Sequence, residues 1–381
     1  MKSLISHSSL VFVTLLLAAL SCSPLQAQKW AGTVEEKNGI RVVRNPREPI
    51  YQEGFFTLVE ELAIGYEGGK EERAFADIND IAVDASENIY VLDIRQGKIR
   101  VFDKNGQYLR DIGQRGQGPA EFQFPNQILV TPGQEFAIVD LIASRLLFFS
   151  LAGAFKRSVP TWKHGRPIRA LVDPEGNIVC EILLGGEKKG FALMKFDSDF
   201  EEPLTITFKE RGKVPLLEDL SPRIVWSVTQ QGQIIWGDSG EYEVKILDRT
   251  GKLINKITKE SDPEKIVAAE YQEQIKKKFG GKPIPPDFEQ ELPKYYPAFR
   301  SLELDDQGRL FVSTYEKVKG GKGYFIDVFD PESKYIAKIP LAALPRIYMN
   351  RIYKKGKLYA VEEDEEGYPV VKRYRLEWKA N

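Results

Sequence analysis

The chain has 381 residues, 42% hydrophobic and 29% charged, with 31 glycines and 22 prolines, which suits a real core built from many short strands joined by turns. A formal net charge of -1 at pH 7 excludes the general basic field that nucleic acids require. Beyond residue 27 no apolar run approaches the length of a membrane span.

Residues 1–27 have the pattern of a signal peptide. Lys2 supplies a positive start and Leu10 to Leu20 an apolar run too short to cross a bilayer. Two processing readings stand. Leu25-Gln26-Ala27 ends in a small residue suited to an ordinary signal peptidase. Alternatively, Ala19-Leu20-Ser21-Cys22 resembles a bacterial lipobox, with Ala19 where such boxes usually carry Leu. Cys22 would then be lipidated and tether the protein to the outer membrane. Either way the expected location is the periplasm or cell surface. Residues 28–56 form an N-terminal extension. Behind the leader only Cys180 remains, so no intramolecular disulfide can form, and its apolar run Ile178-Val179-Cys180 predicts a buried, inert thiol.

From residue 57 to 381 the dominant feature is an internal repeat. In the clearest unit, Ile81 to Asp84 is a short strand, the turn Ala85-Ser86-Glu87-Asn88 follows, and Ile89 to Asp93 is a second strand ending in an acid. Lys98 to Phe102 alternates polar and apolar with the two-residue period of a half-buried strand. Asn105-Gly106 makes the hairpin turn into Tyr108–Ile112. Four antiparallel strands in about forty residues is one propeller blade. The order recurs from Ile128, from Ile168, from Ile224 and from Ser301. A sixth unit, with Ile347 to Ile352, Leu358 to Val361 and Val370 to Leu376, stops before its fourth strand. Leu58 to Gly65 looks like that missing strand. Placing it beside Val370 to Leu376 removes two exposed edges and predicts an all-β, six-bladed β-propeller whose last blade is shared by the two ends of the chain.

Asp80 to Asp84, Asn88 to Asp93, Arg100 to Asp103 and Gly116 to Phe122 resemble the consensus of NHL repeats, specifically in the first blade and weakly by the fourth. The stretch from Trp30 to Pro46, with the propeller behind it, resembles exported bacterial proteins known only as six-bladed propellers, and that resemblance carries no defined activity.

In a propeller, the loops from fourth to next first strand and from second to third emerge on one face. The largest of them here is 258–299, between blades four and five. Asp262-Pro263-Glu264 opens a helix predicted over Ile266 to Phe279, with Gly280-Gly281 ending it. Such an insertion marks a binding face, or else a cap or oligomer contact. Near the starts of the inner strands lie Arg169, Arg223, Arg300 and Arg346, with Arg115 in a blade loop and the aromatics Tyr295, Tyr296, Trp226 and Trp236 nearby. Converging guanidiniums suit a carboxylate or sulfate, and aromatics suit a sugar or peptide. The alternative is that each Arg pairs with an acid of a neighbouring blade, such as Asp93, Asp140 or Asp238. The expected partner is a protein, peptide or glycan, bound by a monomer.

Catalytic expectations are thinner. Propeller lyases that resemble NHL proteins rely on histidine, usually more than one, whereas here His164 is the one histidine behind the leader, expected in a solvated loop. Zinc is therefore not expected. Six-bladed lactonases hold Ca²⁺ with Glu, Asp and Asn, which leaves a Ca²⁺-dependent hydrolase or lyase as the alternative to a cofactor-free binding or scaffold protein.

Overall fold

The computed structural model describes residues 29–51, 56–66, 71–211, 220–268, 272, 293–318, 323–341 and 351–378. The leader, Cys22, Arg346 and nearly all of the predicted helix lie outside them. The described chain forms six sheets, each of four strands in blade order except one that has six. Blades one to five occupy residues 78–112, 125–160, 166–210, 224–259 and 301–341. Among the described residues the inner strand of the sixth blade is Ile352–Lys354; most of the expected Ile347 to Ile352 lies outside them.

The repeat has a local cause. At the turns an aspartate accepts main-chain N–H bonds from the residues two and four ahead, a built-in turn. Asp84 Oδ1 takes Ser86 N and Asn88 N at 2.8 Å, and Asp173 Oδ1 takes Glu175 N and Asn177 N at 2.9 Å. Asp248, Asp305 and Asp364 repeat the pattern. The acids ending second strands do another job. Asp93 takes Ala76 N and Gln96 N at 2.8 and 3.0 Å, and Asp140 takes Phe124 N and Gln123 N at 2.8 and 3.0 Å. They tie the loop that enters each blade to that blade's second strand.

Because strand side chains alternate between the two sheet faces, each blade is apolar on both, and the core is divided among the blade interfaces. Tyr90, Phe122, Phe136 and Phe149 fill the interface of blades one and two; Cys180 and Phe196 lie in the next. The ring closes where β3 (Phe56–Ile64) pairs antiparallel with Pro369–Trp378, Ile64 against Val371 and Leu58 against Leu376. This is the closure the half blades predict.

The N-terminal extension has a structural role the repeat did not reveal. Its hairpin, β1 (Thr33–Lys37) and β2 (Ile40–Asn45), adds to blade four, with β2 parallel to Leu253–Lys259. Asn45 is buried where this edge meets blade five. Its Nδ2 donates to Ser333 O at 3.0 Å and Thr258 O at 3.3 Å, and its Oδ1 accepts from Tyr335 N at 2.7 Å and Trp30 Nε1 at 3.1 Å. Ile50 N and Tyr51 N then bond to Tyr335 O and Ile336 O. The extension straps two blades together.

Candidate functional site

The inner strands surround a central channel, and their polar side chains reach from each blade to the main chain of the next. The third residue of the inner strand is Asp80 in blade one and Gln127 in blade two, and the fourth is Arg169 in blade three. Asp80 Oδ2 accepts Ile128 N at 3.1 Å, and Gln127 Oε1 accepts Ala170 N at 2.8 Å. Arg169 donates to Trp226 O at 2.6 Å, and its guanidinium lies 4.5 Å from the Trp226 ring centroid. Arg223 continues the series with a 2.6 Å bond to Arg300 O. These bonds link neighbouring inner strands of blades one to five.

Of the predicted arginines, Arg169 and Arg223 come together near the buried Glu303; Arg346 lies outside the described residues. Arg169 and Arg223 bridge blades through main-chain carbonyls rather than pairing with Asp93, Asp140 or Asp238. Arg115, exposed on its loop, donates to Ile94 O at 2.8 Å. Trp236 packs in the interface of blades three and four, opposite Trp226 in the strand pairing and 4.4 Å from Lys245 Nζ. Trp226 is buried and donates to Glu181 Oε2 at 3.3 Å. His164 also departs from expectation: it is half-buried against the stacked rings of Phe196 and Phe200, at 5.0 and 5.9 Å. Cys180 is fully buried, and burial pushes its thiol pKa up.

Two concavities among the described residues concern the site. One, of about 450 Å³, lies between blades four and five at the root of the insertion and brings Tyr295 and Tyr296 together. The two ends of the insertion meet in a bridge of Lys265 with Tyr295, with Ile266 N bonded to Lys294 O and Tyr296 N to Glu264 O. Tyr296 stacks on Tyr315 at 4.6 Å, and the Arg300 guanidinium lies 5.9 Å from the Tyr315 ring centroid. Beneath them Lys259 Nζ lies 2.7 Å from the buried Asp327, which also accepts from Tyr242 and Tyr335 at 2.6 and 2.7 Å. Burial and this carboxylate push both phenol pKa values far up. The lysine's charge is thus matched, and the remaining charged lining is acidic: Glu241 and Glu264, with Asp262 paired to Arg47 and Glu316 to Lys338. Burial, with Glu316 adding to it, raises the Glu264 pKa. Sequence reading found the tyrosines of this cleft but missed its acids, which come from three separate segments.

The other concavity, about 460 Å³, lies on the axis and is lined by all six inner strands. Its lining runs from Gln127, Arg169, Glu303 and Arg351 to the first-to-second-strand turns at Ala85, Pro132 and Gln230, so its mouth is opposite the insertion. A lactonase-type Ca²⁺ ion wants six to eight oxygen ligands. The axial floor instead sets Glu303 among guanidiniums, and among the described residues no group of three or more His, Cys, Asp or Glu is placed to hold a metal.

The comparisons agree with this architecture. Residues 68–160, the first two blades, match the model of the DUF5128 family, described as a 6-bladed beta-propeller. The crystal structure of a candidate exported protein from Bacteroides fragilis superposes with a TM-score of 0.56 at 12% identity, covering 88% of this chain and 99% of that one. A member of the duf4221 family from Bacteroides vulgatus gives 0.55 at 15% identity, covering 84% and 98%. The Drosophila melanogaster protein brain tumor is 26% identical over 137 residues, a match spanning 34% of this chain and only 13% of that protein. At these identities the likeness is one of fold: the chain is a six-bladed β-propeller similar to these bacterial proteins.

Proposed function

We propose that the protein is an exported binding or scaffold module that takes a basic peptide segment of a protein partner in the cleft under the insertion. The observation that carries this reading is the cleft's composition, a stacked tyrosine pair and half-exposed Tyr295 facing a rim of carboxylates. Tyrosine faces attract cations through the ring quadrupole, and carboxylates add charge-assisted hydrogen bonds. That chemistry favours a lysine or arginine side chain over the carboxylate or sulfate that the arginine count suggested, and over a neutral glycan.

Fluorescence anisotropy tests it, with a labelled Gly/Lys/Arg peptide against its Gly/Glu counterpart. The basic peptide should bind, and Tyr295→Ala or Glu264→Gln should each weaken it by about tenfold, the scale of one cation–π or charged contact. Equal binding of the acidic peptide, or indifference to both substitutions, would retire the reading.

A further inference from the structure

The axial cavity shares no lining residue with the cleft beneath the insertion and opens on the opposite side. Lys354, in the inner strand of blade six, is the one lysine among its described lining residues. Its Nζ crosses to blade one and donates to Val83 O at 2.9 Å. Val83 and Ala85 also line the cavity, so the amine sits toward the mouth rather than at the floor with Glu303. Lys355 and Lys357 pair with Glu87, whereas the half-buried Lys354 forms no ion pair among the described residues. The other acids near it are already engaged: Asp84 accepts from Ser86 N, Asn88 and Tyr90, and Asp306 accepts from Lys355 N. Burial lowers the Lys354 pKa; Asp84 opposes this and Lys355 adds to it. A lysine partly withdrawn from water and without a carboxylate partner holds more neutral amine at pH 7 than a surface lysine. That amine uses one N–H on Val83 O and keeps its lone pair. The walls around it are apolar, with Ile81, Leu302, Leu304 and Ile352, and a volume of about 460 Å³ lies in the range of small-molecule sites.

We propose that Lys354 is a covalent capture site for small apolar aldehydes, held as an imine within the axial cavity. The Nζ lone pair adds to the carbonyl carbon, and one N–H proton passes to the oxygen to give a carbinolamine. The C–O bond then breaks as that oxygen takes the second N–H proton through solvent and leaves as water, and the C=N bond forms. Nothing is oxidised or reduced, and hydrolysis returns the aldehyde. The apolar walls hold the aldehyde's chain and select against hydroxylated aldehydes.

Reductive trapping tests this: the folded protein is incubated at pH 7 with pentanal and cyanoborohydride, and the labelling of each lysine is followed by peptide mass mapping. Lys354 should be alkylated about tenfold faster than the exposed Lys37 and Lys252, the factor that burying two methylenes of the chain supplies. Glyceraldehyde, whose hydroxyls gain nothing from the apolar walls, should show no such preference, and neither should pentanal on the urea-unfolded chain. Lys354→Arg should remove the fast site while the other lysines label as before. Labelling of Lys354 no faster than of Lys37 and Lys252 would overturn the proposal, whether or not the variant folds. A preference that survives unfolding, or that glyceraldehyde shares, would trace to the amine alone and overturn it too.

Discussion

Glu303 shows how single residues in this channel are set by their surroundings. Burial raises its pKa above the ordinary glutamate value, although Arg351, Ser301, Arg169 and Arg223 pull the other way. A carboxyl whose folded pKa is raised binds its proton more tightly in the native state. The stability it contributes is complete below the unfolded pKa and is lost as pH rises through the folded one. Glu303→Gln, neutral at every pH, should therefore raise the melting temperature at neutral pH by about 1–2 °C, the shift expected of ~1 kcal/mol in a chain of this size, and should have little effect near pH 4. Melts at the two pH values check this, and a lower melting temperature at neutral pH would show that the ionised form is the stabilising one. The sequence made Glu303 visible only as an acid in a strand. Its neighbours, Arg169 and Arg351, come from blades three and six and meet it only because the ring closes.

Among the elements, the N-terminal hairpin is the one whose role came from tertiary structure. Its first strand, Thr33–Lys37, is exposed throughout and its second, Ile40–Asn45, mixes Ile and Val with Arg, and nothing in that pattern names Leu253–Lys259 as its neighbour. By covering that outer strand it removes a row of unpaired main-chain groups from solvent, and Asn45 fixes the junction with blade five through four hydrogen bonds. Asn45→Ala should cost about 1–3 kcal/mol, because it strands the buried Tyr335 N–H and Ser333 carbonyl. Urea unfolding would show the lower midpoint. An unchanged midpoint would mean that water replaces the amide and that the strap is held by β2 pairing alone.

For the whole molecule, stability rests on ring closure. Each blade has apolar faces on both sides, so opening the ring exposes two of them together with two strand edges. Residues 56–64 supply the outer strand of blade six, and Phe56 and Ile64 belong to the cores on its two sides. Deleting residues 54–66 should abolish the cooperative thermal transition rather than lower its midpoint by a few degrees. Circular dichroism melts of the truncated chain would test this, and a cooperative transition of undiminished amplitude would show that five blades and a remnant suffice.

The sequence by itself determined the blade count, the positions of nearly all strands and the pairing of the two chain ends. Those features are local or repetitive: two-residue alternation, an aspartate at each turn, and a half unit at either end that has one complementary partner. Tertiary structure decided what the arginines do, where the cavities lie and which acids surround Tyr295 and Tyr296. Arg223 could equally have met an acid or a ligand. It reaches a main-chain carbonyl of the next blade because the inner strands crowd at the axis, a distance that no linear spacing encodes. The six-bladed ring was thus legible in advance, while the chemistry at its axis and beneath its insertion arises from side chains far apart in the chain that only the closed ring brings together.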